Sequence, residues 1–212
     1  MATPSSQNRQ DLVRRGQHLE YFTIVYNSLE GLVSIVAGVI AGSVSLIGFG
    51  LDSLIEVTSG AALLWRLHHD WNPSRRESVE RITLRIVGAC FVALAGYIAY
   101  QSGSALIGHQ APERSIPGII VAAVSVVVMP LLARAKRRVA AGIGSQAMSA
   151  DSKQADFCTY LSAILLGGLL LNALFGWWWA DPAAALAMVP IIAREGVQLL
   201  KGKSCGCPDA CH

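Results

Sequence analysis

Charge is scarce in this 212-residue chain: Asp, Glu, Lys and Arg make up 15% of it, against 53% hydrophobic residues. A soluble domain ordinarily carries about 25% charged residues, so the deficit points to a membrane protein. No long polar block is present that could fold as a separate soluble domain. Nor is there a basic stripe interleaved with aromatics: the Lys and Arg residues are dispersed among helix ends, so the net charge of +3 reads as topology and excludes nucleic acid as a partner. A nucleophile–base–acid constellation and a phosphate-cradling Gly-rich loop are both missing, which argues against an enzyme and against a prosthetic group. The polar, basic opening lacks a short apolar core followed by a small-residue cleavage site, so the first apolar stretch is expected to stay in the mature protein.

What is present is six apolar stretches, each near the twenty residues a bilayer needs. They lie at about Leu19–Ala41, Val44–Leu67, Ile82–Ile107, Ile116–Ala135, Gln154–Trp179 and Pro182–Leu200. The expected organisation is an all-α integral membrane protein: an N-terminal arm over 1–18, a six-helix domain over 19–201 and a Cys-rich tail over 202–212. The linkers carry the orientation. Sixteen of the seventeen basic residues fall on one side of this layout, and only Arg114 falls on the other. The positive-inside rule makes the basic side, with both termini, cytoplasmic, and a cytoplasmic (cell) membrane is the expected location. Trp177, Trp178 and Trp179 suit an aromatic belt at the outer end of the fifth span. Asp181 and Pro182 read as the N-cap and first-turn proline of the sixth helix. Pro130 and Pro190 should kink the fourth and sixth spans, and Gly38 with Gly42 form a GxxxG packing face on the first.

Within this apolar frame Asp52 and Glu56 sit one helical turn apart on the same face of the second span. A carboxylate near the bilayer centre costs roughly 2.5–3.5 kcal/mol on insertion scales, and two like charges at that spacing also repel. Protons, a basic partner or a metal ion must offset the cost; hard cations suit the oxygens, and a protonated, hydrogen-bonded pair is the plainer alternative. Asn27 and Glu30 lie one turn apart on the first span, where Glu30 either joins a metal or bonds Arg, Ser or Asn neighbours. The start of the fifth span, Asp151 to Tyr160, crowds further ligand types into a few turns. Gln154 and Cys158 share a face there, and with Asp52 and Glu56 would make a four-ligand set from two helices. Asp156 takes the place of Gln154 if the helix turns differently. A thiolate favours zinc, cadmium and other thiophilic ions over magnesium, calcium or manganese, although Gln is not a favoured zinc ligand. Asp151, beside Lys153, reads more simply as a cap at the helix entrance.

The tail holds Cys205, Cys207, Cys211 and His212 within eight residues. Three thiols and an imidazole offer a Cys₃His set whose short spacing suits flexible metal capture better than a rigid module. A cytoplasmic location disfavours disulfides there. Cys90 reads as a small core residue, and His68 and His69 as an interfacial helix end.

The run Gly42-Ser-Val-Ser-Leu46 leading into Phe49-Gly-Leu-Asp52-Ser-Leu-Ile-Glu56, with Asn27 before it and Gln154 to Cys158 after it, resembles the cation diffusion facilitator family of divalent-metal transporters. The resemblance covers the whole membrane domain. In that family two ligands four residues apart on the second helix face a second pair, usually His and Asp, on the fifth. Gln154 falls at the usual His position and Cys158 at the usual Asp position, which changes the site's charge and softness. The family's usual C-terminal cytoplasmic domain has no counterpart in the sequence, and the shorter layout looks like the membrane-only, synaptic-vesicle zinc transporter branch of the superfamily. The resemblance implies proton-coupled export of a zinc-like divalent ion by alternating access, in a homodimer joined through membrane helices, and the softness of the cysteine adds cadmium or cobalt as further substrates. A membrane metal sensor or buffer that moves nothing is the competing expectation.

Overall fold

The inward face of the first helix is polar and its outward face apolar, the reverse of a soluble protein. In the computed structural model, which describes residues 6–41, 44–70, 73–109 and 116–201, Glu20, Thr23, Asn27, Glu30 and Ser34 recur every three or four residues and are buried. Val25, Leu29, Leu32, Val36 and Ile40 are exposed on the other side. Such a pattern fits a helix whose outer solvent is hydrocarbon and whose polar groups serve the bundle interior.

Six helices follow one another: α1 Ser6–Ala41, α2 Val44–His68, α3 Pro73–Gly108, α4 Ile116–Ile143, α5 Gln146–Phe175 and α6 Ala180–Leu200. Among the described residues, four of them hold stretches long and apolar enough to cross a membrane, at Arg9–Ile40, Leu46–His68, Ser78–Gly108 and Ile116–Ile143. α5 and α6 contain 30 and 21 residues. The helices run longer than the apolar stretches. α1 continues back through most of the expected arm, because Leu12 packs under Gly142 and Arg9 donates to Asp70 and to the Ile143 carbonyl. α3 opens on Pro73, where the missing N–H costs nothing.

α1 pairs with α2, α3 with α6 and α4 with α5; α1 also meets α4 and α2 meets α3, while α5 contacts α2, α3 and α6. The second and fifth helices therefore meet inside the ring. Backbone closeness, supplied by glycine, sets the α1–α2 pair: a Cβ on Gly50 would lie 2.6 Å from Ile35 Cγ1 and 2.9 Å from the Gly31 carbonyl. Gly38 is equally tight against Ile47, with a Cβ at 2.8 Å from its nitrogen. Where lipid is as apolar as leucine, this close packing holds helices together in place of hydrophobic burial.

α4 ends in a Schellman turn: Gly144 has φ +64° and Ser145 N–H donates to the Ala140 carbonyl at 3.1 Å. Glu80 of α3 then accepts from the Ser145 hydroxyl at 3.0 Å and from Ala147 N–H at 2.8 Å, capping α5. At the other end of the bundle Gly176, with φ +70°, turns the chain out of α5. That early reversal starts α6 at Ala180 with Trp179 in the N-cap position and no side-chain cap, so the expected N-cap Asp181 lies inside the helix. α4 and α6 continue unbroken through Pro130 and Pro190. The two ends of the bundle are named below for Gly144 and Gly176.

Candidate metal site

Asp52 and Glu56 follow the buried stripe of α2, and Gln154 and Cys158 that of α5, so the contact between these helices brings four expected ligands to one place. All four are at most 4% exposed. The Cys158 thiol donates to Asp52 Oδ2 at 2.9 Å. Asp52 Oδ1, Glu56 Oε2 and both amide atoms of Gln154 are buried without a hydrogen-bond partner. Each such atom forfeits roughly 1–3 kcal/mol of lost hydration, so four together on facing helices call for a ligand. Among the described residues no ion pair reaches either carboxylate. Nor, among them, do three His, Cys, Asp or Glu side chains form a finished metal cage; an amide carbonyl is part of the set, and a thiol proton lies between sulfur and carboxylate.

A cavity of about 70 Å³ leads from Asp52 toward the Gly176 end, lined by Gly48, Tyr97, Gln101, Leu161 and Pro182. Gly48 leaves room for two polar tips: its Cβ would lie 1.9 Å from Gln101 Oε1 and 2.0 Å from the Tyr97 hydroxyl. The Gly48-Phe-Gly50 run thus serves close packing on both faces.

The other expected ligands are held by neighbours. Glu30 accepts from the Tyr26 hydroxyl at 3.3 Å and from Ser53 Oγ at 3.4 Å, which ties it to the residue next to Asp52. Asn27 donates to the Thr23 carbonyl at 3.1 Å, and its Oδ1 has no partner. Asp156 does not stand in for Gln154: it turns outward to accept from Arg137 at 2.7 and 2.9 Å. His68 and His69 bond the carbonyls one turn back, at Leu64 and Trp65. Cys205, Cys207, Cys211 and His212 lie outside the described residues.

Asp151 does not cap the helix beside Lys153. It is 3% exposed, accepts from Ser59 Oγ at 2.8 Å and pairs with Lys136, whose ammonium also donates to Glu20 at 3.0 Å. Lys153 pairs with Glu195 instead. Sequence reasoning missed Glu20, Ser59 and Lys136; the signal that could have found Glu20 is the polar stripe on α1. Closer to the Gly144 end, Asp70 accepts from Arg9 and Arg66. Burial works to raise this carboxyl, but the Arg9 hydrogen bonds and the charges of both guanidinium groups outweigh it and hold Asp70 below the usual carboxylate range.

Residues 21–203 match the family model of the cation efflux transmembrane domain. The chain is 22% identical to a protein named cation-efflux pump FieF of Shewanella oneidensis, over 79% of this chain and 58% of that protein. It is 30% identical to an uncharacterized transporter of Methanocaldococcus jannaschii, over 81% and 62%, and 26% identical to one of Synechocystis, over 76% and 54%. The chain therefore spans about three fifths of the length of these relatives. With the match covering most of its length, the chain belongs to the cation efflux (cation diffusion facilitator) family.

Proposed function

We propose that the protein carries a divalent, zinc-like metal ion across a cell membrane by alternating access, with Asp52, Glu56, Cys158 and Gln154 as its ligands. One observation carries this reading: two carboxylates, a thiol and an amide meet at the α2–α5 contact, buried, with four of their polar atoms unpartnered and, among the described residues, no basic side chain paired to the acids. The cavity from Asp52 toward the Gly176 end gives an ion a route on one side.

The chemistry supplies the coupling. A thiol ligates as thiolate, so an arriving ion must displace the proton that Cys158 donates to Asp52. When the ion leaves, protons return to neutralise the acids, and the cycle exchanges metal for protons. The sulfur selects zinc, cadmium or cobalt over manganese and magnesium. In this reading the chain spans the membrane six times with both termini cytoplasmic and works as a homodimer through its membrane helices. Metal moves outward, and the Cys205–His212 tail captures it beforehand.

Proteoliposomes loaded with a pH-sensitive dye test it. External zinc or cadmium should drive counterflow of protons through the intact chain, and Asp52→Ala should abolish it. Metal bound by the intact chain without flux would replace transport by a sensor or buffer.

A further inference from the structure

One helical turn from the metal site, on the side away from the cavity, lies a second buried charge cluster that the transport chemistry does not use. Ser59 follows Glu56 by three residues on α2, and Asp151 precedes Gln154 by three on α5, a displacement of roughly 4.5 Å along each helix. Both steps point toward the Gly144 end. At that level Lys136 of α4 donates to Glu20 of α1 and Asp151 of α5, and Ser59 of α2 completes the layer. Lys136, Glu20 and Asp151 are 1%, 0% and 3% exposed. Beyond them Leu63, Leu67, Val139, Ile143 and Met148 form a packed apolar layer. A Cβ on Gly16 would touch three of these side chains at 3.2–3.4 Å, so α1 packs closely on this layer.

From this placement, and resting on the alternating-access reading above, we propose that Lys136, bridging Glu20 and Asp151, is the latch that seals the metal site from the Gly144 end and must open for an ion to pass there. The triad ties α1, α4 and α5 at one level, with Ser59 adding α2. A buried ion pair suits this task better than an apolar contact. Its Coulomb gain nearly cancels its desolvation cost, so wetting the layer on opening loses little net free energy. Glu20 Oε1 is already buried without a partner, so water reaching this layer would satisfy a group that now has none. Lys136 is in this account a positioning residue: it touches no ligand of the ion and acts by holding helices closed.

Cys158 provides the readout, because it belongs to the metal site and is buried. The parent for the test carries Cys90→Ala and serine at Cys205, Cys207 and Cys211, in sealed vesicles sorted by protease access to an N-terminal tag. A charged, membrane-impermeant methanethiosulfonate is added from the side of the Gly144 end. Lys136→Met should raise Cys158 labelling from that side about tenfold, a shift of about 1.4 kcal/mol in the balance of open and closed states. Lys136→Met strands two buried carboxylates and can fail to fold. The neutral triple variant Glu20→Gln, Lys136→Met, Asp151→Asn removes every charge together and should show the same rise. Labelling from this side no faster than in the parent, in a folded variant, overturns the latch. Zinc flux through the chain with its native cysteines, in vesicles of the same composition, separates the two readings. A labelling rise without that flux keeps the latch and removes transport; flux without a rise keeps transport and removes the latch.

Discussion

Two buried pairs of carboxylates face each other across the same helix bundle, one turn apart, and the protein treats them differently. Glu20 and Asp151 share the ammonium of Lys136. Asp52 accepts from the Cys158 thiol, and Asp52 and Glu56 each keep an oxygen with no partner. The first pair has a cation supplied from within the chain, so it binds helices to one another. Among the described residues no ion pair reaches the second, so it suits a cation from outside. A single lysine bridges the carboxylates of one layer and is paired with none of the other.

The comparison breaks most sharply on loss of a carboxylate. Asp52→Ala or Glu56→Ala should abolish metal-driven proton flux in vesicles while leaving the fold, because removing an unpaired acid relieves a desolvation cost. Loss of the lysine works the other way. Lys136→Met should destabilise the chain by about 3–5 kcal/mol, the cost of stranding buried charge, while the neutral triple variant should stay within about 1 kcal/mol of the parent. Denaturant unfolding in detergent micelles measures both. Gly50→Ala comes next: its new methyl group meets Ile35 and the Gly31 carbonyl, and overpacking of this kind costs about 1–3 kcal/mol.

Smaller effects sharpen the contrast. Cys158→Ser keeps a ligand of similar size but hard character, so cadmium transport should fall further than manganese transport, read as a changed ratio of initial rates. At the Gly144 end, the depressed Asp70 contributes stability that is full above the ordinary carboxylate pKa and is lost as pH falls through its lower folded value. Asp70→Asn should flatten the acid side of the stability–pH curve and leave flux at neutral pH intact.

The sequence told these two pairs apart only halfway. Asp52 and Glu56 stand in the middle of an apolar run, where any carboxylate is costly, so periodicity alone sets them facing inward. Gln154 and Cys158 follow from the same helical spacing. Lys136 sits inside Arg134-Ala-Lys136-Arg137-Arg138, where a basic residue reads as a marker of membrane orientation. Its partners are 116 and 15 positions away, and no local pattern reports such a pairing. Asp151 was equally ambiguous: an acid near a helix start fits a cap until tertiary packing buries it. Asp156 shows the converse, since only the position of Arg137 on the neighbouring helix draws it to the surface. The helix ends beyond the apolar stretches, such as Ser6 of α1, depend on contacts from Leu12 and Arg9 that hydropathy does not see.

The most direct test of the central claim is zinc X-ray absorption on the chain with Cys90→Ala and serine at Cys205, Cys207 and Cys211. The account predicts one sulfur at about 2.3 Å with the remaining ligands oxygen or nitrogen at about 2.0–2.2 Å, and loss of the sulfur in Cys158→Ser. Zinc bound by oxygen and nitrogen alone, unchanged by Cys158→Ser or Asp52→Ala, would contradict it.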